Sequence, residues 1–364
     1  MKRITNFSAG PATLPQAVLL TIQSQLLNTN QSGLSVMEMS HRSSSFEAIL
    51  AKTKQTLIEV CQIPSNYQVL FLQGGASLQF SMIPMNLCKS KTIDLIDTGV
   101  WSQKAMEEAS LFALVNVIAS SQAQQYQNLP SIDLSRLNPD ADYCYYVSNN
   151  TIACTQFQDI PLPHPTLVCD MSSDICSKPI DVSKYGLIFA GAQKNLGIAG
   201  LTIVIIRDDV LAKIEGALPS MLDYRVHVKN NSLTNTPSTF GIYVCGLVLD
   251  WIKELGGLEA MAKHNQQKAS MLYDAIDQSR LFINKVHKPD RSLMNVSFTT
   301  NDDALDDAFI SFAAKAGCVG LKGHRLVKGL RASLYNAMSV EGVQALINVI
   351  HEFEKQHYKE VAHV

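Results

Sequence analysis

Seven short apolar runs, at residues 68–72, 92–96, 114–119, 143–147, 166–169, 186–190 and 201–207, recur along the chain between about residues 43 and 255. Several are apolar almost throughout, which reads as strands buried on both faces rather than strands with one wet face. Helix-period segments lie between some of them, so the connections are crossovers. That pattern predicts a mostly parallel, doubly wound α/β sheet flanked by helices. One helix opens at Ser44, with Glu47 three residues on as a capping box. Its apolar stripe is Phe46, Ile49, Leu50, Leu57 and Ile58. Gly256 and Gly257 follow a helical 239–255 and mark a boundary. Beyond it, 258–279 and 304–316 read as helices and 294–300 and 330–335 as strands. Ser339 caps a last helix with Val343, Leu346, Ile347, Ile350 and Phe353 on one face. The expected organisation is a large domain at 16–256, a smaller C-terminal α/β domain at 257–364, and an N-terminal segment, 1–15, packing with the smaller one.

Charge and cysteine usage narrow the function. A net charge of −2 with no basic stripe leaves no footprint for nucleic acid. The eight cysteines are scattered without the short paired spacings of a zinc or redox motif, so no metal is expected. They read as small core residues in a reducing compartment. The basic start, Met1, Lys2 and Arg3, is followed by no apolar signal region, and no run is long enough to cross a bilayer. A soluble cytoplasmic protein with neither membrane nor nucleic-acid partner is the expectation.

In an open parallel sheet, ligands bind at the carboxyl ends of the strands. The run 186–190 ends in Gly191, Ala192, Gln193, Lys194 and Asn195. Lys194 stands among small residues instead of on a polar helix face. By itself it is either a surface-turn lysine or a desolvated amine able to condense with an aldehyde. After 68–72 come Gly74, Gly75, Ala76 and Ser77 before a helical 78–87, an ordinary turn or a phosphate cradle at a helix start. Asp170 ends the run 166–169, as a turn residue or as a carboxylate held for a cationic ring nitrogen. Ser148, Asn149, Asn150 and Thr151 follow 143–147, a turn or a ligand contact. Trp101 follows 92–96, as core or as a cover for a flat ligand. Taken together, a phosphate cradle, an aromatic lid, an aspartate and a lysine at one end of one sheet are what pyridoxal 5′-phosphate requires.

Over essentially its whole length the chain also resembles the phosphoserine aminotransferase family, class-V enzymes of the fold-type I pyridoxal-phosphate group. The segments that carry the likeness are 6–11 (Asn-Phe-Ser-Ala-Gly-Pro), 35–42 (ending His41, Arg42), 189–195, 235–237 (Asn-Thr-Pro), 321–325 (Leu-Lys-Gly-His-Arg) and 329–336. The resemblance implies a homodimer with active sites at the subunit interface. It implies Lys194 as the cofactor-bearing lysine and Asp170 as the partner of the pyridine nitrogen. Trp101 would stack on the ring, Thr151 would contact its phenolic oxygen side, and Ala76, Ser77 and Gln193 would hold the phosphate. Asn235 and Thr236 would reach that phosphate from the neighbouring subunit. Arg42 and Arg331 would grip the substrate α-carboxylate, and His324 and Arg325, also from the partner, the substrate phosphate.

The implied reaction takes the amino group of L-glutamate to 3-phosphohydroxypyruvate, giving O-phospho-L-serine and 2-oxoglutarate. Some relatives also serve the 4-phosphohydroxy-L-threonine step of pyridoxine synthesis. Three positions depart from the family's pattern. Ser77 stands where some members carry arginine, which leaves phosphate recognition to His324 and Arg325. Cys154 stands where glycine is frequent. Ala9 replaces a serine and is assigned no ligand contact. A cysteine desulfurase would be expected to place histidine before the lysine, where this chain has Gln193. A small-substrate aminotransferase would lack the His324–Arg325 pair, and a binding protein that kept only the fold would need neither Lys194 nor Asp170.

Overall fold

In the computed structural model the described residues are 3–361. Met1 and Lys2 of the N-terminal segment, and 362–364 of the C-terminal one, lie outside them. In chain order the elements are β1 (Thr5–Asn6), α1 (Gln16–Gln25), α2 (Ser44–Cys61), β2 (Tyr67–Leu72), α3 (Gly75–Leu87), β3 (Thr92–Asp97), α4 (Val100–Ala109) and β4 (Leu114–Ser120). Then come β5 (Cys144–Val147), β6 (Leu167–Asp170), β7 (Leu187–Gly191), β8 (Thr202–Arg207), α5 (Asp208–Leu211), α6 (Tyr224–Lys229), α7 (Thr239–Glu254) and α8 (Gly257–Gln278). The chain ends with β9 (Asn295–Phe298), α9 (Asp303–Lys315), β10 (Cys318–Val319), β11 (Leu330–Ser333) and α10 (Val340–Val361).

All seven apolar runs are strands of one sheet, in the order β2-β8-β7-β6-β5-β3-β4. Strands β4, β3, β5, β6 and β7 are mutually parallel, whereas β8 is antiparallel to both β7 and β2. Reversing β8 leaves β2 parallel to the rest. The carboxyl ends of β2, β3, β5, β6 and β7 therefore share one edge, and the start of β8 joins them there.

Side chains alternate between two apolar layers, as the pleat requires. On one side Ile188, Ile203 and Ile205 pack with Phe46 and Leu50 of α2 and Val244 and Val248 of α7. On the other, Leu95, Val168 and Phe189 pack with Phe80 and Ile83 of α3 and Ala105 of α4. Coverage on both faces is the reason these strands carry so few polar residues.

A third cluster gathers Phe282, Phe298, Phe309 and Phe353 from the chain beyond α8 together with Phe7. Thr5 and Asn6 pair with Cys318 and Val319, and the Phe7 carbonyl accepts from Ser333 N, so the N-terminal strand is built into this region. Its short β9–β11 pair is antiparallel.

One helix start differs from expectation. The cap of α2 is Ser43, not Ser44: Ser43 Oγ accepts from Phe46 N at 3.3 Å, and Ser44 is already the first helical residue. Three serines in a row offer the same hydroxyl, and the backbone turn at 40–43 selects among them. Ser339 does cap α10, accepting from Gly342 N. Seven of the eight cysteines are buried and Cys88 is partly so. Among the described residues no helix is long and apolar enough to cross a membrane, and no cluster of metal-ligating side chains occurs.

Candidate active site

A cavity of about 340 Å3 opens at the shared carboxyl edge, within the range of about 300–1,000 Å3 that small-ligand sites occupy. Each wall is set by how a strand ends. After β2 the chain turns through Gly74, in the left-handed region at φ 91°, and enters α3 at Gly75. A Cβ at Gly74 would lie 2.4 Å from Leu78 Cδ2 and 2.8 Å from Leu78 Cβ, so a side chain is excluded there. The first backbone N–H groups of α3, at Gly75, Ala76 and Ser77, are the unpaired donors of a helix start, and these residues line the cavity. Gly191 ends β7 opposite them, where a Cβ would sit 3.7 Å from the Ala76 Cβ.

After β3, Trp101 occupies the first turn of α4 and lines the cavity. Its Nε1 donates to Thr151 Oγ1 at 3.0 Å, which fixes the indole plane. Asp170, at the end of β6, is 6 % exposed and accepts from Ser172 N at 2.8 Å. Burial pushes its carboxyl up from the ordinary aspartate range, against the pull of the Lys194 charge and the Ser172 bond. Lys194 lies beyond β7 with Nζ 5.7 Å from the Trp101 ring centroid and no hydrogen-bond partner among the described residues. Burial lowers its pKa, Asp170 opposes that shift and the Arg331 charge adds to it. The amine is thus biased toward the neutral, nucleophilic form. Arg331, from β11, lines the same cavity and donates from Nη1 to the Thr151 carbonyl.

Of the residues singled out in the sequence, Ala76, Ser77, Trp101, Thr151, Asp170, Gln193, Lys194, His324 and Arg331 line this one cavity. His324 does so from its own chain, where the resemblance places it on the partner. It stands half-buried at the head of a turn in which its carbonyl accepts from Val327 N and Lys328 N. Burial lowers its pKa, as do the charges of Arg331, Arg325 and Lys104. Arg42, Asn235, Thr236 and Arg325 are exposed and do not line it. Gln73 Nε2 donates to the Thr236 carbonyl at 2.7 Å, which keeps the 235–236 segment beside the glycine turn.

Sequence reasoning missed several lining residues. Ala9, assigned no ligand contact in the sequence, borders the cavity with Gly10, as do Phe80, Ser172 and Ser173. Position relative to a strand end could have found Ser172 and Ser173; nothing local marks Ala9 or Phe80.

The lining fits pyridoxal phosphate on the structure's own terms. The helix start suits a phosphate, and a buried carboxylate with one backbone partner has capacity for a cationic ring nitrogen. An amine and an indole line the same space, 5.7 Å apart from Nζ to ring centroid. Comparison with known proteins agrees. The family model of the class-V aminotransferases matches residues 4–346. The chain belongs to that family.

A phosphoserine aminotransferase of Pseudomonas syringae is 50 % identical over 358 residues, 98 % of this chain and 99 % of the other. The solved phosphoserine aminotransferase of Bacillus circulans subsp. alkalophilus superposes with TM-score 0.95 at 45 % identity, covering 98 % of this chain and 100 % of that one. The pyridoxal-phosphate-bound enzyme of Trichomonas vaginalis gives 0.90 at 39 %, over 96 % of this chain and all of that one. As a class-V aminotransferase the chain is a pyridoxal-phosphate-dependent transaminase with the fold-type I architecture.

Proposed function

We propose that this transaminase is a phosphoserine aminotransferase, moving the amino group of L-glutamate to 3-phosphohydroxypyruvate in two half-reactions at one site. 2-Oxoglutarate leaves first and O-phospho-L-serine second. The observation that carries the reading is the convergence of Lys194, Asp170 and Arg331 on one cavity, in a chain about half identical to enzymes of that name over nearly its full length.

Bound pyridoxal phosphate supplies an aldehyde for the amine and a ring that accepts the electron pair released at the substrate Cα. The α3 start and Gln193 would hold its phosphate, Trp101 would cover the ring, Thr151 would meet the phenolic-oxygen side, and Asp170 would keep the ring nitrogen charged. Lys194 would hold the cofactor covalently and is the group placed to move the proton at the substrate Cα. Arg331 receives the α-carboxylate as a forked guanidinium donor, and Arg42, which does not line the cavity of its own chain, would reach the carboxylate site of a second copy. Ser77 brings no charge, so the distal phosphate or carboxylate falls to His324 and Arg325.

The exposed Arg325, Asn235 and Thr236 enter a second copy's site in a homodimer, working in the cytoplasm on small molecules alone. The same pair of anion sites suits the phosphorylated keto acid of pyridoxine synthesis; no turnover of it with glutamate as donor would remove that substrate.

The direct test is the visible absorption of the cofactor-loaded protein on separate addition of O-phospho-L-serine, L-alanine and L-cysteine. Bleaching by phosphoserine alone is expected. Bleaching by alanine and not phosphoserine would assign a small-substrate transaminase instead.

Arg325→Ala is expected to raise KM for 3-phosphohydroxypyruvate by roughly ten- to a hundredfold, the value of a charge-assisted hydrogen bond of about 1.5–3 kcal/mol, with glutamate affected much less. Mixed with inactive Lys194→Ala protein, it should regain phosphate-substrate turnover, because the second copy lends its own Arg325. Equal rises in both KM values would remove Arg325 as a phosphate contact, and failure of the mixture to recover would place Arg325 in its own chain's site.

A further inference from the structure

Lys268 of α8 is wholly buried, at 0 % exposure, where a lysine almost never resides unless paired. Its ammonium meets no carboxylate among the described residues. It donates instead to three main-chain carbonyls, of Leu334 at 2.9 Å, Tyr335 at 2.6 Å and Asn336 at 3.4 Å. Burial lowers its pKa, and the three carbonyl acceptors oppose that shift, since together they suit the three hydrogens of the ammonium form. The three residues form the turn that leaves β11, beginning three residues beyond Arg331.

That turn touches the cavity's other walls. Asn336 N donates to Asn195 Oδ1 at 3.0 Å, next to Lys194. Asn195 Nδ2 in turn reaches the Ser173 and Ile175 carbonyls, in the chain following Asp170. Tyr335 OH donates to the Ala9 carbonyl at 2.7 Å. Asn336 Nδ2 holds the Cys176 carbonyl and Asn336 Oδ1 accepts from Asn265 of α8. One three-residue segment thus joins the strand of Arg331, the turn of Lys194 and the Ala9 wall. Lys268 holds it from the side away from the cavity, which it does not line.

We propose that Lys268 is a positioning residue for transamination: its grip on the 334–336 carbonyls sets the separation of Arg331 from Lys194. This rests on the roles given to those two residues under Proposed function. Removing the Lys268 head group leaves the buried Leu334 and Asn336 carbonyls without a donor and the Tyr335 carbonyl with Met338 N alone, at 3.2 Å, so the turn must shift to satisfy them. A shift there moves the guanidinium relative to the amine, and a displacement near 1 Å in a reacting geometry costs about a hundredfold.

The test is a double-mutant cycle on the cofactor-loaded protein with Lys268→Met and Arg331→Ala. Lys268→Met is expected to retain full cofactor absorbance and to lose about ten- to a hundredfold in kcat/KM for glutamate. In the Arg331→Ala background the same change should cost little further, because the carboxylate clamp is already gone. Equal losses in both backgrounds, or no loss in either, would overturn the proposal. A structural role alone lowers thermal stability without that non-additivity. Lys268→Gln, which keeps two N–H donors, enters the same cycle should the methionine variant not fold, and failure of both to fold would assign Lys268 to stability only. Arg331→Ala with unchanged kinetics would instead refute the reading of Arg331, an outcome separate from either of these.

Discussion

Lys194→Ala is expected to abolish transamination with every amino donor. The proposed function gives the amine two tasks, covalent attachment of the cofactor and proton movement at the substrate Cα, and the substitution would remove both. The second alone is worth about 10²–10⁴-fold for a positioned acid–base group. Its surroundings prepare it for both, since burial works against the ammonium form while Asp170 restores part of the charge. Borohydride reduction of the loaded wild-type protein, followed by peptide mapping, should fix the cofactor on Lys194, and the variant should carry no adduct. Near-normal turnover by the variant, or an adduct elsewhere, would withdraw the assignment.

Asp170→Asn is expected to have the next largest effect. Under the proposed function this buried carboxylate would face a cationic ring nitrogen. Breaking a buried ion pair by removing one partner costs about 3–5 kcal/mol, or roughly 10²–10⁴-fold in rate. The asparagine variant should therefore bind cofactor and fail mainly in the steps that release charge at Cα. Single-turnover bleaching with phosphoserine measures this, and a loss below threefold would mean Asp170 does not hold the ring nitrogen.

The same residue has an opposite effect on the cofactor-free fold. Its carboxyl pKa is raised by burial, so the folded protein holds that proton more tightly than the unfolded chain. The resulting stability is complete below the unfolded value and is lost as pH rises through the folded one. Once ionised, Asp170 costs the empty fold stability. The cofactor-free Asp170→Asn protein should then melt no lower than wild type in acid, with an advantage that widens toward alkaline pH. An advantage that shrank with rising pH would contradict the burial argument.

Much of this was legible in one dimension. The seven strands announced themselves because burial on both faces leaves an uninterrupted apolar run, a property of local sequence. Lys194, Asp170, Trp101 and the glycine turn were found because each follows such a run, and chain order fixes which residue stands at a strand's carboxyl end. What the sequence determined, then, was the seven strands of the sheet and the residues that follow them.

The tertiary structure alone decided how those ends meet. The reversal of β8 has no local signature, since its residues are as apolar as those of its parallel neighbours; pairing across the sheet sets its direction. Choice of Ser43 over Ser44 as the α2 cap depends on the turn before it. His324 reaches the cavity of its own chain while Arg325, one residue on, is exposed, because the turn at 324–328 aims successive side chains differently. Lys268 reads in sequence as one more lysine on an amphipathic helix. Only packing of α8 against the turn after β11 buries it and supplies its three carbonyl partners, contacts made across more than sixty residues of chain. Periodicity reports what each segment buries, but the partner it is buried against is a property of the whole fold.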